Sequence, residues 1–243
     1  MINFRNINVL LLLIIAGMAS AIAGISIDST RIVFLSDNSL RGKSIGVTSS
    51  ASSATPYLVK TLITGDAEGR NIRSPFITTP SLFRLEPKST NQVLIVKKTD
   101  SAELPGDRES IFYFRAIAMP AGGKQNIIPS PAVGGVLQVS TATVVKLFYR
   151  PDGLPLSQQQ AMSMLQFSSV GTGLKVTNPT PYYITLADLK VAGVAVPLSA
   201  AADNTLIAPF DSRIYNRAPH QGKVEWKALN DYGGAEVFHG SVR

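Results

Sequence analysis

Gly42-Lys43-Ser44-Ile45-Gly46 has the spelling of a nucleophile elbow, in which a serine is held on a sharp strand-to-helix turn. That chemistry also needs an Asp and a His arriving later to take the serine proton. Here Gly46 runs on into Val-Thr-Ser-Ser-Ala-Ser-Ser, a strand heading into a turn, and the histidines are His220 and His239. The context argues for coincidence. The two histidines lack metal-ligand spacing and no carboxylate cluster joins them, so both read as surface or turn residues. Gly122-Gly123-Lys124 lacks the spacing and the following hydroxyl of a phosphate loop. Met162, Met164 and Leu165 read as core filling. The absence of cysteine removes thiol nucleophiles and thiolate metal sites. The residues therefore call for no enzyme chemistry, no metal and no cofactor.

Arg31 and Lys146 are different. Each interrupts an apolar strand, Ile32-Val33-Phe34 in one case and Val144-Val145 with Leu147-Phe148 in the other. A cation in a strand that should be buried needs a partner. That partner is an intrachain carboxylate, or the solvent reached by a snorkelling stem, or an anionic ligand.

The element around Lys146 is the longest in the chain. Gly135 to Pro151 is rich in Val and Thr and free of Gly and Pro between its ends, which suits a strand that Pro151 terminates. Strand alternation sends Leu137, Val139, Thr141 and Thr143 to one face, and Gln138, Ser140, Ala142 and Val144 to the other. Lys146 falls on the second face. If Leu137, Val139, Thr141 and Lys146 all serve one groove, a bulge or twist between Thr141 and Lys146 is required.

Other strands are expected at Ile25–Leu35 as one unit, Ser44–Ser50, Pro56–Ile63, Gln92–Lys97 and Glu109–Met119, with a proline-broken extended piece from Phe76 to Pro87. After Asp152 come a helical turn capped by Ser157 and short strands at Leu174–Thr177, Tyr182–Leu186, Lys190–Val196, Arg213–Asn216, Val224–Leu229 and Val237–Val242. Many short strands with almost no helical periodicity predict an all-β protein of two sandwiches.

The first residues read as an export signal. Arg5 supplies a positive start, Val9–Ala16 is apolar but too short to span a bilayer, and Ala21-Ile22-Ala23 is a small-x-small cleavage site. Cleavage after Ala23 leaves 220 of the 243 residues, enough for two domains, and no later stretch predicts membrane insertion. The net charge of +7 is scattered, with Lys97-Lys98 and Arg70 with Arg73 as its densest groups. That excludes a nucleic-acid stripe and favours carboxylates or acidic surfaces as partners.

Several blocks together resemble the periplasmic chaperones of the chaperone–usher pathway. They are Ile27–Phe34, Thr55-Pro56-Tyr57-Leu58-Val59, Phe83-Arg84-Leu85-Glu86-Pro87, Leu104–Phe114 closing at Met119-Pro120, Lys146–Pro151, Asn178–Tyr182, and Asn230-Asp231-Tyr232-Gly233-Gly234. The resemblance covers essentially the whole mature chain. It implies two immunoglobulin-like β-sandwich domains, 24–150 and 151–243, set as an L around an interdomain cleft. It implies that Arg31 and Lys146 anchor the C-terminal carboxylate of a pilus or fimbrial subunit, and that Leu137, Val139 and Thr141 are lent to that subunit's open core. It places Glu109, Arg150 and Asp231 in an interdomain ion cluster. The partners implied are subunits and an outer-membrane usher in the periplasm. An apolar edge at Leu137 and Val139 makes sense if a partner covers it, or if the free protein caps itself by dimerising. The short, cysteine-free loop Ala121–Gly134 matches the family's short-loop type. Three positions depart from the pattern: Arg115 stands where the family usually has Asn, Ala116 where it has a larger aliphatic, and Thr141 where it has a bulky apolar residue. The competing reading is a secreted immunoglobulin-like structural or adhesive module.

Overall fold

A computed structural model describes residues 24–39, 41–53, 55–101, 103–121 and 140–243. The expected signal peptide, most of the loop before the long strand, and Leu137 and Val139 lie outside the described residues.

The first sandwich faces two sheets against each other. One runs β1 (Ile25–Ile27), β3 (Lys43–Ser49), β7 (Thr90–Lys97) and β5 (Phe76–Thr79). The other runs β2 (Arg31–Leu35), β9 (Thr141–Arg150), β8 (Ser110–Pro120), β4 (Tyr57–Thr64) and β6 (Leu82–Leu85). Alternation along the strands sends Phe34, Ile45, Val47, Val93, Ile95, Phe114 and Leu147 between the sheets, where they are fully buried. Phe76 meets Phe34 edge-on at 4.9 Å and Phe112 at 5.2 Å.

The stretch expected as one strand over Ile25–Leu35 is two. β1 pairs with β3 in one sheet, and β2 pairs with β9, in parallel, in the other. The chain changes sheets at Asp28–Thr30. Asp28 pins the crossing: its N–H donates to the Gly46 carbonyl at 3.1 Å, and its carboxylate accepts the Gly46 N–H at 2.8 Å. A Cβ at Gly46 would stand 2.7 Å from that carboxylate, so a larger residue there would displace the Asp28 side chain from this bond. This is the structural reason for the second glycine of the Gly-x-Ser-x-Gly spelling. Ser44 lies within β3, opposite Leu94, with its hydroxyl donated to Gln92 at 2.7 Å.

β9 ends before Pro151, as expected. Its pairing with β8 is one-for-one from Thr141, opposite Ala118, to Tyr149, opposite Ser110. No bulge therefore lies between Thr141 and Lys146, and two-residue periodicity holds. Val145, Leu147 and Tyr149 enter the core, and Thr141 shares their parity. Lys146, Val144 and Phe148 face outward.

The second sandwich pairs β10 (Gln166–Val170), β11 (Gly173–Thr177) and β15 (Ser212–Asn216) against β13 (Val194–Ala195), β12 (Ile184–Val191), β16 (Lys223–Leu229) and β17 (Ala235–Ser241), with β14 (Leu206–Ile207) on β12. Trp226 is its centre, with its ring 4.8 Å from that of Phe167 and its indole N–H donated to the Met162 carbonyl at 3.0 Å. The strands expected at Tyr182–Leu186 and Lys190–Val196 merge. A register shift between Leu186 and Asp188 absorbs the break, so β12 runs on to Val191. It then turns at Ala192-Gly193, where both φ angles are positive (50° and 80°), as a tight hairpin requires. Helix α1 (Gln158–Ser163) is capped reciprocally: Ser157 Oγ accepts the Gln160 N–H and Gln160 Oε1 accepts the Ser157 N–H. Met162 fills the core as expected, whereas Met164 is 44% exposed at the helix end.

Candidate functional site

Register brings the two unexplained cations together. Arg31 of β2 lies directly opposite Lys146 of β9, which lies opposite Tyr113 of β8. All three are on the outer face of the sheet, and the second sandwich closes over them. Thr30, Arg31, Val144, Lys146 and Phe148 from one side, with Thr185 and Leu229 from the other, line a cleft of about 160 Å³.

The two cations are held differently. Arg31 Nη1 donates to the carbonyls of Leu229 at 2.7 Å and Asn230 at 3.0 Å, and the guanidinium lies 4.6 Å above the Phe148 ring. Its buried Nε has no hydrogen-bond partner among the described residues. Lys146 is half-buried, and its ammonium has no hydrogen bond and no ion pair among the described residues. Burial pushes the Arg31 guanidinium below its ordinary pKa, against the pull of Asp231 and Glu109. Burial, and then the charge of Arg31, do the same to the Lys146 ammonium. Two desolvated cations side by side make a site complementary to an oxyanion.

A second charged group lies at the junction of the sandwiches and is closed. Arg150 ends β9 and donates Nε to Glu109 at 2.8 Å, and Nη1 and Nη2 to the two oxygens of Asp231 at 2.7 and 2.8 Å. The other Glu109 oxygen accepts the Tyr183 N–H at 2.8 Å, and the Glu109 N–H donates to the Pro181 carbonyl. Asn178 orders that loop by donating to the carbonyls of Tyr182 and Ala208. Burial opposes the charge on Arg150, but its bonds to Asp231 and the charge of Glu109 outweigh that and raise its pKa. The Glu109 side chain is 1% exposed. Its burial pushes the carboxyl upward, with Arg150 and the Tyr183 amide pulling back.

All the sequence-predicted residues within the described range fall near this junction or on β9. Glu109, Arg150 and Asp231 meet, as do Arg31 and Lys146, while Thr141 is exposed at the far end of β9. From Thr141 to Val145, β9 pairs with β8 on one side; among the described residues no strand pairs with its other edge there, because pairing with β2 begins at Lys146. His220 and His239 lie away from this junction, and no group of three metal-ligating side chains occurs among the described residues. The departure at Arg115 has a local use: its guanidinium donates to the Ala67 carbonyl and packs on Gly69, whose φ is +78°. Sequence reasoning misses Phe148, Tyr113 and Tyr183, because an aromatic in a strand reads as core. Parity with Lys146 is the available signal for Phe148.

Residues 24–155 match the family described as pili and flagellar-assembly chaperone, PapD N-terminal domain, and residues 160–239 match the PapD C-terminal domain. The chain belongs to the pilus-assembly chaperone family. It is 36% identical over 231 residues to the probable fimbrial chaperone YadV of Escherichia coli K12, covering 89% of each chain. It is 31% identical over 222 residues to the E. coli chaperone protein PapD, covering 91% of this chain and 87% of that one. Among solved structures, the E. coli chaperone DraB superposes with a TM-score of 0.73 at 30% identity, over 90% of this chain and 96% of that one. The Salmonella enterica SafB chaperone, solved in complex with SafA pilin, gives 0.74 at 26% identity, over 92% and 98%. Two immunoglobulin-like sandwiches are thus the fold of the family and of this chain.

Proposed function

We propose that this protein is a periplasmic chaperone that captures exported pilus or fimbrial subunits, folds and caps them by donor-strand complementation, and passes them to an outer-membrane usher. The observation that carries this reading is the Arg31–Lys146 pair, two adjacent cations with no ion pair among the described residues, at the end of an open strand edge. A C-terminal carboxylate offers two oxygens to such a pair. A subunit strand ending there would lie along the free edge of β9 and take its unpaired backbone groups.

Parity then gives one strand two cores. Val145, Leu147 and Tyr149 build the chaperone's own interior, and in the sequence Thr141, Val139 and Leu137 have the same parity. Those side chains fill the subunit's open core, Leu137 and Val139 contributing about 3–6 kcal/mol before ordering costs. Thr141 offers less apolar surface at the third position. No covalent bond is made or broken. The Glu109–Arg150–Asp231 cluster fixes how the sandwiches, taken as domains 24–150 and 151–243 after removal of the signal peptide, present the cleft. In the free protein the same apolar edge is covered by self-association. A secreted structural or adhesive module leaves the unpaired lysine without a role.

Co-expression with a candidate fimbrial subunit and recovery from the periplasm tests this. Wild type should carry the subunit; Lys146→Met and Leu137→Glu should remain folded and lose it. Full capture by both variants would overturn the proposal.

A further inference from the structure

A second cavity adjoins the cation pair. It has a volume of about 180 Å³, and Tyr113 lines it from the first sandwich while Tyr183, Asp203, Leu206, Asp211 and Arg213 line it from the second. We propose that this cavity is a second subsite of the cleft, taking a lysine or arginine side chain from the last two residues of the captured pilin. The proposal rests on the capture of a pilin's C-terminus argued above.

Position is the first reason. Tyr113 is the cross-strand neighbour of Lys146, and adjacent strands lie about 4.8 Å apart. A side chain at or next to a carboxylate held by Lys146 therefore reaches the cavity. The two subsites also share a wall, since the Tyr183 ring packs 5.7 Å from Phe148, the ring beneath the Arg31 guanidinium.

Chemistry is the second reason. Two tyrosines with carboxylates at the rim form a cation-recognising surface, because ring faces attract a cation and carboxylates neutralise it. Arg213 offsets one of the two carboxylates and leaves the rim with a net negative charge. It is tied to Asp203 at 3.6 Å and donates to the Leu206 carbonyl, which leaves Asp211 accepting the Ser212 N–H. Burial raises both tyrosine hydroxyls, with Asp203 adding to the effect at Tyr113, so both stay neutral at physiological pH. The cleft is thus polar along its length: cationic at Arg31 and Lys146, and net anionic at Asp211 beside the Asp203–Arg213 pair. A pilin terminus with a free carboxylate and an adjacent basic side chain complements both ends.

The test uses short synthetic peptides, fluorescently labelled at the N-terminus, that differ in carrying Lys, Leu or Glu in the last two positions. Each is made with a free or an amidated C-terminus, and binding to the full-length mature protein is read by anisotropy. The Lys peptide should bind about tenfold tighter than the Leu peptide, with Glu weakest. The Asp203→Asn/Asp211→Asn variant should bring Lys and Leu together while still preferring the free acid to the amide. Equal binding of Lys and Leu peptides by wild type, with the acid still preferred, overturns the subsite and leaves the carboxylate anchor standing. Equal binding of acid and amide, with Lys still preferred, overturns the anchor instead. No binding of any peptide at millimolar concentration overturns both.

Discussion

Two charged groups a few residues apart on β9 have opposite characters. At Arg150 the guanidinium is matched by two carboxylates, and the more buried of these, Glu109, also has a backbone donor. At Lys146 the ammonium has no hydrogen bond or ion pair among the described residues, and its neighbour is another cation. A satisfied buried cluster fixes geometry, and removing one member strands the others. An unsatisfied cation costs stability in the free protein and keeps interaction energy for a ligand. Arg31 is intermediate, since it both faces Lys146 and holds two carbonyls of the second sandwich.

This contrast can be broken most strongly at Arg150. Arg150→Ala leaves Glu109 buried without its counter-charge, and should cost about 3–5 kcal/mol in urea unfolding, with less pilin recovered on the chaperone. A cost within about 0.5 kcal/mol would show the cluster to be idle. Arg31→Ala comes next. It removes charge-assisted bonds to Leu229 and Asn230 and should cost about 1.5–3 kcal/mol while also abolishing capture. If Arg31→Ala is as stable as wild type, its carbonyl bonds do not bridge the sandwiches in solution.

Glu109→Gln sharpens the comparison through pH. The folded Glu109 carboxyl is raised by burial, so as pH falls the folded state takes up this proton before the unfolded chain does. The resulting stability is fully present below the unfolded value of about 4.3 and is lost as pH rises through the folded value. On acidification from neutrality toward that pH, wild type should therefore gain stability relative to Glu109→Gln. A stability difference independent of pH would exclude a raised carboxyl. The smallest expected stability effect belongs to Lys146→Met. Its melting temperature should equal or slightly exceed that of wild type, because an unpaired, half-buried charge is removed. A clear loss of stability would mean that Lys146 has a partner within the chain.

The strands were legible because alternation and turn residues are local signals. In β9 the period is written in the residues themselves, where Val145, Leu147 and Tyr149 alternate with Val144, Lys146 and Phe148. Local reading failed where pairing decided the outcome. Ile25–Leu35 changes sheets at Asp28 because that carboxylate bonds Gly46, which is distant in sequence. The strands expected within Tyr182–Val196 became β12, Ile184–Val191, which a bulge keeps paired with β16, and its short hairpin return β13.

The sequence by itself determined that Arg31 and Lys146 sit in apolar strands, that Ser44 lacks a triad context, and that Thr141 and Lys146 have opposite parity. These follow from residue type and a two-residue period. Tertiary structure decided that the two cations share a rung, that Arg31 reaches across to Leu229 and Asn230, and that Tyr113 and Tyr183 enclose a space beside them. Parallel pairing of β2 with β9 joins segments far apart in the chain, and nothing in either segment encodes its register with the other. That register is set by burying Phe34 and Leu147 in one core, a property of the packed sandwich rather than of any strand alone.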